Sequence, residues 1–173
     1  MLPMKCPYPL ALTIVLAATL AGCASKKDVV EQYQREAKTS ETEARSADAE
    51  AFHRSAAQRA EELGPAEQSE ALLGLAVQLQ SQQRFKESLV PLSDSLAKAQ
   101  EAGMAPTALA VRQVRLAQSY AALNRWQDGA AFLKPAVPAA KTLTGADGRL
   151  ARDVMDVYRT RLPELGLDAG FLD

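Results

Sequence analysis

Leu72-Leu73-Gly74-Leu75-Ala76-Val77-Gln78-Leu79, followed by Gln83-Arg84-Phe85-Lys86-Glu87-Ser88 and Leu92, is the stretch that decides the fold. Leu72, Leu75, Ala76 and Leu79 recur at i, i+3, i+4 and i+7, which is one face of an α-helix. Polar residues from Gln80 to Arg84 break the stripe, and Phe85, Leu89, Leu92 and Leu96 begin a second one. The pattern then returns 41 residues later. Leu75, Ala76, Arg84, Phe85, Leu89, Leu92 and Leu96 become Leu116, Ala117, Arg125, Trp126, Ala130, Leu133 and Val137. A fixed period of this length marks helical hairpins, which bury their apolar faces only against neighbours.

Working outward, Phe52, Ala56, Ala60 and Leu63 also keep helical spacing. Gly64-Pro65 closes one helix and opens the next, the expected order of the two residues at a junction. Phe52 and Ser55 moved by 40 reach Leu92 and Ser95, while Gly64 moved by 39 reaches Gly103. Residues 50–64 therefore read as the second helix of an earlier, degenerate unit. Pro106 opens a helix with Leu116, Ala117 and Tyr120 on its inner face, and Asn124-Arg125 is a short turn. A last helix is expected from Asp147 to Leu162, with Leu150, Val154, Val157 and Tyr158 apolar. The predicted fold class is all-α: a short α-solenoid of helical hairpin repeats over residues 51–162, with a C-terminal tail at 163–173.

The two central units resemble tetratricopeptide repeats over about residues 66–145, and their spacing is similar to the longer-helix variant of kinesin light chains. The second unit carries the resemblance in Leu116-Ala117-Gln118-Ser119-Tyr120, Asn124-Arg125-Trp126-Gln127-Asp128-Gly129 and Leu133-Lys134-Pro135-Ala136. Small residues stand where two helices must touch, at Ala76, Ser88, Ala117 and Gly129, and an aromatic residue follows each turn. Pro91, Pro135 and Pro138 depart from the family pattern, since each removes a helical hydrogen bond, and Gln113 replaces a large apolar residue. In this family the first helices line a concave groove that takes a partner segment. Carried over, the resemblance implies a groove of Glu70, Leu73, Val77, Gln80 and Ser81 in one unit and Val111, Val114, Gln118 and Ala121 in the other. Leu73, Val77, Val111 and Val114 lie outside the core stripes, and an exposed apolar strip marks a partner site. The alternative is that the preceding segment, the last helix or a second copy of the chain covers the strip.

Residues 1–22 read as a signal peptide. Lys5 is the cation of its first region, and the apolar run Leu10 to Leu20 is too short to span a bilayer as a helix. Leu20-Ala21-Gly22-Cys23 resembles the lipobox of bacterial lipoproteins. The resemblance implies cleavage before Cys23 and covalent lipid on its thiol and new amine, with palmitate-like acyl chains. Each buried methylene contributes about 0.8 kcal/mol, so several chains anchor a protein essentially permanently. Ala24 stands where the family has an Asp for inner-membrane retention, which implies the periplasmic face of the outer membrane. The other reading is an ordinary cleaved signal with Cys23 a chance residue. Residues 23–50 are polar, with Val29, Val30 and Tyr33 the only large apolar groups, and are expected to be a tether of helical tendency.

Composition narrows the function. Losing Lys5 from 20 cationic residues leaves 19 against 21 acidic ones, without the basic footprint that nucleic acid demands. Cys6 departs with the signal and Cys23 is acylated, so the fold is expected to stand on packing without a disulfide. His53 is the single histidine and is expected on an exposed helix face. No metal site, cofactor or catalytic constellation is expected, because these need partners that the chain does not supply. Glu61-Glu62 are adjacent and point apart on a helix, and Gly145-Ala146-Asp147-Gly148 lacks the strand that a phosphate loop requires. The expectation is a non-enzymatic lipoprotein that binds a protein or peptide partner in the cell envelope. The alternative is a self-associating structural subunit of the envelope.

Overall fold

The computed structural model describes residues 25–42 and 46–173. Residues 1–22, read as a signal peptide, and Cys23 lie outside the described residues. Seven α-helices follow one another among the described residues: α1 Lys26–Thr42, α2 Ser46–Ala60, α3 Pro65–Ser81, α4 Phe85–Glu101, α5 Pro106–Ala122, α6 Trp126–Ala140 and α7 Gly145–Glu164. A 3-10 turn, Gly170–Leu172, ends the chain. Helices α1 and α2, α3 and α4, and α5 and α6 pack as hairpins, α2 stacks on α3 and α4 on α5, and α7 closes against α5 and α6. This is an all-helical hairpin-repeat stack, as the period predicts.

The 41-residue repeat is visible in the backbone. Pro65 and Pro106 each stand in the first turn of their helix, where the missing N–H costs nothing. Phe85 and Trp126 each begin the return helix. Between them Gln83 and Asn124 adopt φ of 60° and 58°. Arg84 N then donates to Leu79 O at 2.9 Å and Arg125 N to Tyr120 O at 2.8 Å, closing matched helix ends. Even the ion pair beyond the turn repeats, Arg84 with Glu87 and Arg125 with Asp128. Leu75, Ala76, Leu92 and Leu96 are buried, and so are Leu116, Ala117, Leu133 and Val137. Ser88 and Gly129 are buried too, at the helix contacts expected of them.

The segment read as a tether is different from that expectation. Helix α1 packs along α2 with Val30, Ala37 and Ser40 buried, and Tyr33 meets Phe52 at 6.3 Å between ring centres. It is the first helix of the degenerate unit whose second helix is α2. The contact is made mostly by alanine and serine, which let two backbones approach, so no large apolar stripe announces it. Its start is fixed by a reciprocal cap: Ser25 N donates to Asp28 Oδ2 at 2.9 Å, and Asp28 N donates to Ser25 Oγ at 3.2 Å.

The last unit is closed by α7 and the tail. Tyr158 and Leu162 are fully buried in one cluster with Val114, Leu133 and Val137, and Trp126 packs on this cluster edge-on to Tyr158 at 5.4 Å. Leu172 of the expected tail is buried in the same cluster, while Arg159 Nη2 donates to Leu172 O at 3.0 Å and Lys141 holds the carbonyl of Asp173. The tail is thus part of the cap. Pro91, Pro135 and Pro138 lie inside α4 and α6, which run on through them.

Candidate partner groove

Two openings lie between helices α1 and α3, the first helices of successive hairpins. One, of about 360 Å³, is lined by Gln34, Lys38 and Glu41 of α1, His53 of α2, and Glu70, Ala71, Leu73, Gly74 and Val77 of α3. The other, of about 250 Å³, is lined by Lys27, Val30, Glu31 and Gln34 of α1, by Leu63, by Ala66, Glu67 and Glu70 of α3, and by Met104. Gln34 and Glu70 line both, so the two openings form one groove along α3.

Of the residues predicted for the groove, Glu70, Leu73 and Val77 come together here. Leu73 and Val77 are half-buried, and the exposed Glu70 carboxylate accepts from Arg112 Nη2 at 2.7 Å. Ser81 is exposed and turns back on its own helix, donating to Gln78 O at 2.7 Å. Gln80 is not on an open face. It is buried between helices, its Nε2 donating to Arg115 O at 2.9 Å and Ser119 Oγ at 2.8 Å. Val114 is corrected in the same way. At 1% exposure it belongs to the cluster of Leu133, Met155 and Tyr158, because α7 packs over this side of α5. Its counterpart 41 residues earlier, Leu73, keeps a partly open side. Val111, Gln118 and Ala121 are half-buried on α5, and none lines the α1–α3 groove.

His53 is also unlike its expectation. It is 9% exposed, with Nε2 2.9 Å from Glu41 Oε1 across the α1–α2 hairpin. Gly74 makes room for the ring: a Cβ added there would lie 2.8 Å from His53 Nδ1. The sequence offers no periodic signal for this, because the imidazole packs into a gap on another helix.

Arg112 is the side chain that spacing arguments pass over. It is 1% exposed, yet every part of its guanidinium is hydrogen-bonded. Nε donates to Ser69 Oγ and Ser95 Oγ, both at 2.9 Å, Nη1 to Ala108 O at 2.8 Å, and Nη2 to Glu70. A buried cation is tolerated only with its donors satisfied in this way. The network pins α3, α4 and α5 together and fixes the position of Glu70 on the groove. Farther along, Arg115 bridges Gln80 and Asp147, at 3.2 and 3.3 Å. Burial holds the Arg115 pKa below its ordinary value, against the opposing pull of Asp147.

Chemically the groove offers apolar walls with a mixed polar rim, suited to holding a side chain or segment. Among the described residues, no three or more His, Cys, Asp or Glu side chains are grouped to hold a metal ion. No helix among them is long and apolar enough to cross a membrane. No protein-family model, curated protein or solved structure matches the chain.

Proposed function

We propose that this chain is a lipid-anchored, tetratricopeptide-like interaction module of the cell envelope, holding a protein or peptide partner in the α1–α3 groove. The supporting observation is the opening of about 360 Å³ in which Leu73 and Val77 keep partly exposed apolar surface. The lipobox-like Leu20-Ala21-Gly22-Cys23 supports the anchor, and Ala24 after it supports a location at the periplasmic face of the outer membrane. The reading assigns the protein no reaction and no cofactor beyond the lipid on Cys23.

A second reading, a self-associating structural subunit, is favoured by one fact: α1 already supplies a wall of the groove from the same chain. Photo-crosslinking in intact cells separates the two. With the crosslinker at Leu73 or Val77, repeated adducts to one foreign protein are expected. Adducts only to this chain or to a second copy would replace the first reading by the second. The anchor is tested by Cys23→Ser, which should move the protein out of the membrane fraction; retention there would refute it.

A further inference from the structure

We propose that the outer side of α7 is a two-fold contact surface, on which a second copy of this chain lays its own α7 antiparallel. The surface lies at the far end of the stack from the α1–α3 groove, and the proposal stands independently of any partner held there. A further step of 41 residues carries the repeat into α7. Leu72, Leu75, Ala76 and Leu79 become Gln113, Leu116, Ala117 and Tyr120, and then Val154, Val157, Tyr158 and Arg161. The helix also ends as its predecessors do, one residue later: Gly166 has φ of 70°, and Leu167 N donates to Leu162 O at 2.9 Å. Helix α7 is thus the first helix of a third unit. Leu75 and Leu116 are 7% and 0% exposed, in hairpins whose return helices, α4 and α6, pack along them. Val157, at the same repeat position, is 49% exposed. The tail reaches the last cluster through Leu172 but leaves Val157 open, and among the described residues no return helix follows α7. Leu165, about two turns on, is 46% exposed. Two of the three large apolar side chains left exposed among the described residues therefore lie on the closing helix, where a capped stack needs a polar outer face.

The charges beside Val157 choose the occupant. Asp153 and Arg161 stand four residues to either side of it, one turn along the same face. A return helix runs antiparallel to its first helix, and two copies of α7 crossing antiparallel on a two-fold axis at Val157 have the same relation. Each residue before Val157 then faces the one equally far after it in the other copy. Val157 meets Val157, and Asp153 of each copy meets Arg161 of the other. Asp153 is exposed and has no ion pair among the described residues. Arg161 gives only Nη1 to Glu164, in a pair half exposed on both sides, so Nε and Nη2 remain to donate across the axis. One helix pair makes a small interface, so a weak association is expected, with a crosslink as its signature.

The full chain carrying Val157→Cys is expressed in intact cells and treated with a mild oxidant, beside the unsubstituted chain and a Val90→Cys chain. Val90, on α4, is more exposed still, at 67%, so it controls for chance collisions and for any thiol at Cys23. A disulfide-linked dimer is expected from Val157→Cys at about ten times the Val90→Cys rate or more, because the two thiols are held on the axis. Asp153→Arg in the Val157→Cys chain sets like charges opposite each other and should bring the rate down to that of Val90→Cys, while Asp153→Glu should keep it high. Linkage no faster at 157 than at 90, mixed disulfides to a foreign protein alone, or a dimer indifferent to Asp153→Arg would each overturn the proposal. All of these leave adducts at Leu73 and Val77 untouched, so the groove reading stands or falls apart from this one.

Discussion

The hydroxyl of Tyr158 occupies the place where a side chain at Gly129 would begin. A Cβ there would lie 1.7 Å from Tyr158 Oη, which donates to Ala117 O at 2.8 Å. One hydrogen bond thus ties the last helix to α5 through a gap in α6. Burial pushes the Tyr158 pKa above its ordinary value, so the hydroxyl keeps its proton as a donor. Gly129→Ala is expected to force the ring out and to destabilise by roughly 1–3 kcal/mol, the usual cost of overpacking. Tyr158→Phe should cost only about 1 kcal/mol. Urea unfolding of both variants checks the order; an innocuous Gly129→Ala would show that the ring moves freely.

Removal of residues 146–173 takes Val154, Met155, Tyr158, Leu162 and Leu172 out of the last cluster and exposes Val114 and Leu133. Loss of a cooperative thermal transition is expected, followed by circular dichroism. A melt as sharp as that of the whole chain would mean that α7 is not a cap.

Arg112 should be replaceable by shape but not by absence. Ser69 and Ser95 also bond each other's carbonyl, at 2.7 Å in both directions, and so stay satisfied without the guanidinium. Arg112→Met keeps much of the volume and leaves Glu70, which is half exposed, solvated rather than buried and unpaired, so the cost is expected to be only about 1 kcal/mol. Arg112→Ala leaves a cavity and should cost roughly 2–4 kcal/mol. Equal losses in chemical denaturation would show that the charge, not the volume, matters.

Glu50 gives the stack an acid-sensitive joint. Burial pushes its pKa up, but hydrogen bonds from Arg54 and Arg84, with their charges, outweigh this and hold it below the ordinary 4.5. A carboxyl depressed in the folded state contributes stability that is complete above its unfolded value and is lost as pH falls through the folded one. Glu50→Gln should therefore cost about 1 kcal/mol at neutral pH, the partners being partly exposed. The difference should shrink as pH drops below 4.5. Denaturation midpoints at both pH values decide; a difference that does not change with pH would exclude the pairing as its source.

Large apolar side chains made the central units legible. Leu75, Leu92, Leu116 and Leu133 declare buried faces by spacing alone, and the proline and turn positions fall where their backbone chemistry requires. Helix α1 was not legible as a packed element because Ala37 and Ser40 make its contacts. Ser25-Lys26-Lys27-Asp28, a capping pattern, was the local signal that could have found its start. For the groove, repeat position brought together Glu70, Leu73 and Val77 but did not tell that Gln80 turns inward to Arg115 and Ser119. It did not tell which unit a later helix would close. Leu73 and Val114 hold equivalent positions, and only the packing of α7 distinguishes them. His53, Gly74 and Arg112 act across helices, where periodicity carries no information.

The cap at Ser25 has a consequence for geometry at a membrane. Between Cys23 and the first turn of α1 stand only Ala24 and Ser25, a span on the order of 10 Å even when fully stretched. If Cys23 carries lipid as proposed, the stack would have almost no leash, and the Lys27 end of the groove would lie close to the headgroups. Under the proposed function such a protein would not reach partners far from the bilayer. It would act as a bracket, keeping its partner at the membrane surface.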